Sequence, residues 1–121
     1  MSDIQKYVEG IREDLQRLYE TEYTDEEREK MEQSGEAYDL YSYIADNALD
    51  LEYTVSAYGG EFLGARIYVT LGGPTVYVDT RDHCICGRWG TDWGEIWLPF
   101  EIADEINSIV IDYYEISSDR R

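Results

Sequence analysis

The chain has little of what most small enzymes, metal sites and nucleic-acid binders depend on. It holds one histidine, His83, and two cysteines, Cys84 and Cys86. A single imidazole leaves little from which to build a nucleophile–base pair, and neither a G-x-S-x-G nor an H-E-x-x-H pattern occurs. A carboxylate pair doing glycosidase-type acid–base chemistry stays open in principle. With 27 acidic residues, however, the sequence offers no way to choose the pair. No catalytic residue is assigned, and the expectation is a protein that is not an enzyme.

The cysteines stand one residue apart. In a strand they point to the same side at roughly 6.5–7 Å, so a disulfide between them needs distortion. His83, Cys84 and Cys86 put three potential ligands within four residues, but structural zinc usually takes four, often in paired spacing. No other Cys or His completes the set. The expectation is therefore no metal and no cofactor, with the cysteines packed as small hydrophobes. No apolar run approaches the 18 or so residues of a membrane span. Met1-Ser2-Asp3 also lacks the basic and apolar opening of a secretory signal. A cytoplasmic protein without membrane contact is expected.

Basic side chains are scarce as well, 10 against 27 acidic ones, which gives a formal charge of −17. Direct nucleic-acid binding is disfavoured, because phosphate backbones call for clustered Lys and Arg. Solubility asks for a charge magnitude of only about 2–8 in a small domain. The excess costs stability through self-repulsion and points to a basic partner. A generally acidic proteome or a salt-adapted host would give the same balance.

What is present argues for folding. Apolar residues make up 43% of the chain and there are 12 tyrosines, unlike an acidic disordered segment. At 121 residues one domain spanning 1–121 is expected.

Residues 63–99 organise the rest. Leu63, Ala65, Ile67, Val69 and Leu71 share one parity, and Arg66, Tyr68 and Thr70 share the other. Gly72-Gly73-Pro74 and Arg81-Asp82 interrupt the alternation as turns. Val76 and Val78, then Cys84 to Trp89, then Glu95 to Leu98 supply further short runs. Leu51, Tyr53, Val55 and Ala57 alternate before Gly59-Gly60, giving one more strand. The pattern predicts an antiparallel meander of four or five strands with one buried face.

The flanks read as helices. Ser2 and Gln5 fit a capping box ahead of an apolar stripe of Ile4, Tyr7, Val8, Ile11, Leu15, Leu18 and Tyr19, so a helix is predicted over Asp3 to Glu20. Thr24 and Glu27 form a second box before a polar helix over Glu26 to Gln33. Ser34-Gly35 breaks it, and helical spacing returns from Ala37 to Ala48. Pro99 suits the first turn of a C-terminal helix carrying Ile102, Ile106, Ile109 and Val110. The β-branched Ile109-Val110-Ile111 leaves a terminal strand as an alternative, and Ser117 to Arg121 should fray. The class is α+β: N-terminal helices in two segments, the meander, and a C-terminal helix packed on one face.

Three groups are candidate sites. Residues 1–50 carry −10 of the total charge. On a helix, carboxylates three or four positions apart stand about 5–6 Å from one another, the order of the step between neighbouring phosphates. Asp25, Glu26, Glu29, Glu32 and Glu36 can form such a row, with Glu22 leading into it. That row would imitate nucleic acid and occupy a basic groove, or it is a solvated helix face. Trp89, Trp93 and Trp97 recur every four residues with Gly87, Gly90 and Gly94 between them. They read either as core rings over a tight hairpin, with the glycines at turn positions, or as an exposed surface that stacks on a sugar, nucleobase or partner. His83-Cys84-Ile85-Cys86 is the third group, weighed above.

In size, acidity and lack of catalytic residues, the chain resembles the small acidic inhibitors encoded by phages and conjugative elements, including anti-restriction DNA mimics and anti-CRISPR proteins. The segment from Gly72 to Thr80 followed by Gly87-Arg88-Trp89-Gly90 also looks like proteins carried by mobile elements, over about a third of the chain. The first resemblance implies a basic nucleic-acid-binding protein as partner, such as a CRISPR or restriction nuclease, with no cofactor and no turnover. It lies in general character, so no functional residue is carried over. Arg66, Arg81 and Arg88 within the sheet depart from a uniformly acidic mimic and confine the mimicry to the helical side. An aromatic ligand-binding module and an acidic assembly subunit are the competing classes, and the oligomeric state stays open.

Overall fold

Ser2 caps the first helix, α1 (Asp3–Glu20), its hydroxyl accepting from the Gln5 N–H at 3.1 Å. Only that half of the predicted capping box forms, because the Gln5 side chain is used elsewhere, as described below. The computed structural model describes the backbone of residues 2–119 and the side chains of residues 2–113. Thr24 and Glu27 close the full reciprocal box at the start of α2 (Asp25–Ser34). Gly35 ends α2 with φ 79, a left-handed conformation that glycine adopts without steric cost. Asp39 and Ser42 then cap a separate short helix, α3 (Leu40–Asn47). The N-terminal part therefore has three helices where two segments were expected, and Ala37 and Tyr38 lie before the third rather than in it.

Five strands follow: β1 (Asp50–Val55), β2 (Phe62–Thr70), β3 (Thr75–Asp79), β4 (Cys84–Trp89) and β5 (Asp92–Trp97). They form one antiparallel sheet in the order β1-β2-β3-β4-β5, the meander predicted from the alternation. Ala57 falls in the turn after β1 rather than within the strand. The final helix, α4 (Phe100–Asp119), replaces the alternative of a terminal strand. Pro99 stands one position before α4, its carbonyl accepting from the Ala103 N–H at 3.0 Å. Ser117 to Asp119 continue the helix where fraying was expected; Arg120 and Arg121 lie outside the described residues.

Burial explains the layering. Ile67, Val78 and Ile85 are buried and pair directly across β2, β3 and β4, with Ile96 of β5 completing the row. Ile4, Val8, Ile11, Leu15 and Leu18 of α1, Leu40 and Ile44 of α3, and Ile102, Ile106 and Val110 of α4 join the same core. Each such side chain contributes about 1.5–3 kcal/mol on burial. The helices thus bury their stripes against one face of the sheet. Among the described residues, no helix is long and apolar enough to cross a membrane.

The closest helix–sheet approach rests on two glycines. Gly87 of β4 and Gly94 of β5 face each other across the ladder, directly beneath α1. A β-carbon on Gly94 would stand 2.8 Å from the Gln5 Cα, and one on Gly87 would stand 2.9 Å from Ile4 Cγ1. With α1 so close, the Gln5 amide reaches the edge strand. Its Nε2 donates to the Glu95 carbonyl at 3.1 Å and its Oε1 accepts from the Glu95 N–H at 3.0 Å. A side chain thereby pairs one stretch of the β5 edge, which would otherwise offer unpaired backbone groups.

Candidate functional site

Strand alternation sends every second residue of the sheet away from the helices. Register then assembles those residues into rows. Glu52, Arg66, Asp79, Cys84 and Trp97 stand opposite one another in turn across all five strands. Tyr68, Tyr77, Cys86 and Glu95 make the next row, and Thr75, Arg88 and Trp93 the third. A groove of about 610 Å³ opens over these rows, lined by strand residues alone.

The groove floor is fixed by a short network. Arg66 donates from Nε to Asp79 Oδ2 at 3.0 Å and lies over the Tyr77 ring at 4.6 Å. Hydrogen bonds to Tyr68 first and then to Asp79 push the Arg66 guanidinium further above its usual range. The Tyr68 and Tyr77 rings meet at 5.3 Å, and the Tyr68 hydroxyl donates to Glu52 at 2.6 Å. Asp79 is only 3% exposed, and its second oxygen accepts from the Arg81 and Asp82 N–H groups, both at 2.9 Å. Both Asp79 oxygens are therefore committed. Arg88, by contrast, has no ion pair among the described residues and faces the groove.

The cysteines belong to this face. Cys84 and Cys86 are both free, with their Sγ atoms 3.1 Å apart. Burial first, then the neighbouring Cys86 thiol and the charges of Asp79 and Glu95, push the Cys84 thiol well above its usual value. Glu95 stands directly opposite Cys86, and ligand atoms of Cys84, Cys86 and Glu95 lie within 4.8 Å of one another. His83 does not join them. It sits at φ 56 in the turn before β4, its ring 4.3 Å from that of Phe100.

The tryptophans are exposed, at 56%, 63% and 53% for Trp89, Trp93 and Trp97. They are surface rings, not core, and they do not form one platform. Across the β4–β5 hairpin Trp89 pairs with Asp92, whereas Trp93 pairs with Arg88. A spacing of four that crosses a hairpin turn reverses the parity. Trp93 and Trp97 flank Glu95 on the open face, and Trp89 lies on the other face near Gly73 of the β2–β3 loop.

The acidic row is partly assembled. Asp25, Glu26, Glu29 and Glu32 lie exposed on α2; Glu26 and Glu29 turn away from the half-buried Arg28 and Met31, whereas Asp25 and Glu32, three and four positions from Arg28, share its side of the helix. Arg28 stacks over Tyr38 at 5.3 Å. Glu22 precedes the helix. Glu36 follows the Gly35 cap, so it leaves the helical row and lines a cleft with Asp14, Arg17 and Tyr43. Among the described residues two ion pairs form, Arg17–Asp14 and Arg66–Asp79, and neither involves α2.

Sequence reasoning singled out the cysteines and tryptophans but missed Glu95, Tyr68 and Tyr77 as their neighbours. Parity was available for Arg66 and Tyr68; the cross-strand rows needed the register of each hairpin. No protein-family model, curated protein or solved structure matches this chain.

Proposed function

We propose that this protein acts by binding rather than by catalysis, as an acidic cytoplasmic inhibitor that engages a basic nucleic-acid-handling protein and blocks its groove. The observation that carries this reading is the outward face of α2. Asp25, Glu26, Glu29 and Glu32 stand exposed on this helix, in no ion pair among the described residues, three or four positions apart, a spacing of the order of successive phosphates. Such a surface steers a basic partner over a Debye length, about 10 Å at 0.1 M salt and 3 Å at 1 M. The test is competition between this protein and DNA or guide RNA for one nuclease, with association rates measured from 50 to 500 mM salt. Association that slows steeply with salt, and slows again when the four α2 carboxylates are replaced by lysine, is the expected result. Equal binding at both salt extremes, or unchanged binding by the lysine variant, overturns the reading.

The groove supports a second reading. Tyr68, Tyr77 and Trp93 with Arg88 combine aromatic faces and a free cation, the composition of stacking sites and interface hot spots. A sugar or nucleobase bound there would change tryptophan fluorescence, and the change would persist at high salt and vanish in Trp93→Ala. A silent titration across glycans and nucleotides removes this alternative.

A further inference from the structure

We propose that Cys84, Cys86 and Glu95 form a binding site for a thiophilic divalent cation of the zinc and cadmium class, open to the groove on its fourth side. The site is a product of register. The two cysteines project from β4 to the same face, and the β4–β5 ladder sets Glu95 directly opposite Cys86. The three ligand atoms already lie within 4.8 Å of one another. Bonds of about 2.3 Å to sulfur and 2.0–2.2 Å to oxygen at tetrahedral angles require sulfurs about 3.8 Å apart. The thiols, now 3.1 Å apart, need only to diverge slightly.

Three further observations favour a cation over the alternatives for this pair. A disulfide would close on residues i and i+2 of a regular strand, at the upper limit of the Cα separation that disulfides span, so the dithiol is retained. Asp79, the other carboxylate beside Cys84, has both oxygens engaged, whereas the Glu95 carboxylate has no partner among the described residues. Access is open, because Cys86 and Glu95 line the groove and Cys84 and Glu95 line the adjoining cleft. Each ligating thiol gives its proton to solvent, and a water or a donor atom from a bound partner completes the tetrahedron. The overall charge of −17 raises the local cation concentration.

The reduced full-length protein is titrated with Cd(II) while thiolate-to-metal charge-transfer absorption is followed. Simple carboxylate binding gives no such band, so the other acidic residues do not confuse the readout. Saturation at one Cd(II) per chain is expected, with the band falling as pH is lowered. Cys86→Ser leaves one thiolate, so it should weaken binding and cut the band at saturation to about half or less. Glu95→Gln, at an exposed position, should weaken binding about tenfold or more. Circular dichroism of both variants confirms that the fold is retained. The proposal is overturned if no charge-transfer band appears, if Cys86→Ser keeps the band at the parent's intensity and affinity, or if Glu95→Gln binds as tightly as the parent.

Discussion

At Gly94 a single β-carbon decides whether α1 can lie on the sheet. The atom it would strike, Gln5 Cα, belongs to backbone and cannot rotate aside. Gly94→Ala should therefore cost about 1–3 kcal/mol as overpacking. Gly10, in the middle of α1, has nothing within 4 Å of the same added atom, so Gly10→Ala should stabilise by about 1 kcal/mol through helix propensity. Urea midpoints of the two variants should move in opposite directions. Thr80 is a second small residue with a large role: its hydroxyl accepts from the Ala65 N–H at 2.9 Å and donates to Asn107 Oδ1 at 2.6 Å, tying β2 to α4. Thr80→Val strands both partners and should lower stability by about 1–3 kcal/mol. Tyr43 supplies a pH dependence. Burial, with the Asp14 charge and Tyr7 nearby, pushes its phenol from near 10 up to about 12. The raised value favours the neutral phenol in the folded state. Its contribution is therefore complete below pH 10 and is lost as pH rises through 12. Tyr43→Phe should flatten that part of a stability–pH curve measured by denaturant unfolding.

The elements differ in how strongly the core holds them. α1 contributes five buried side chains and α2 none, its inner side being limited to Arg28 and Met31. Native-state hydrogen exchange should then show α2 opening at a far lower free energy than α1, with Thr24→Ala speeding exchange in α2 alone. Exchange of α2 and α1 as one unit would contradict this. The same contrast explains what the sequence revealed. The α1 stripe, the Thr24 box and the strand alternation are local patterns whose period reports burial directly, and those elements appear as read except that Tyr7 and Tyr19, at the margins of the stripe, stand exposed. The alternative with core tryptophans puts the glycines between them at turn positions, and Gly90 does lie in the β4–β5 turn, but Gly87 and Gly94 do not. Here they sit within strands because a helix needs their missing side chains, a cause located 89 residues away in sequence for Gly94 and Gln5. Glu95 was invisible beside the cysteines for the same reason, since only pairing across the hairpin brings it to Cys86. Short-range spacing also misled for Trp89 and Trp93, which share helical spacing but opposite faces of a sheet.

For the whole molecule, the governing quantity is the ratio of charge to pairing. There are 27 acidic and 10 basic side chains, yet two ion pairs form among the described residues. The remaining carboxylates repel one another in the folded state more than in the expanded chain, and salt screens that repulsion. Raising NaCl from 50 to 500 mM should therefore raise the melting temperature. A relief of about 1 kcal/mol corresponds to roughly 4 °C in a domain of this size. The proposed attraction to a basic partner should weaken over the same salt range, so folding and binding should respond with opposite signs. A melting temperature independent of salt would mean that the acidic groups are too dispersed to act on one another. In that case they would also be too dispersed to act together on a partner, and the steering that the inhibitor reading requires would lose its physical basis, leaving the aromatic groove as the stronger surface.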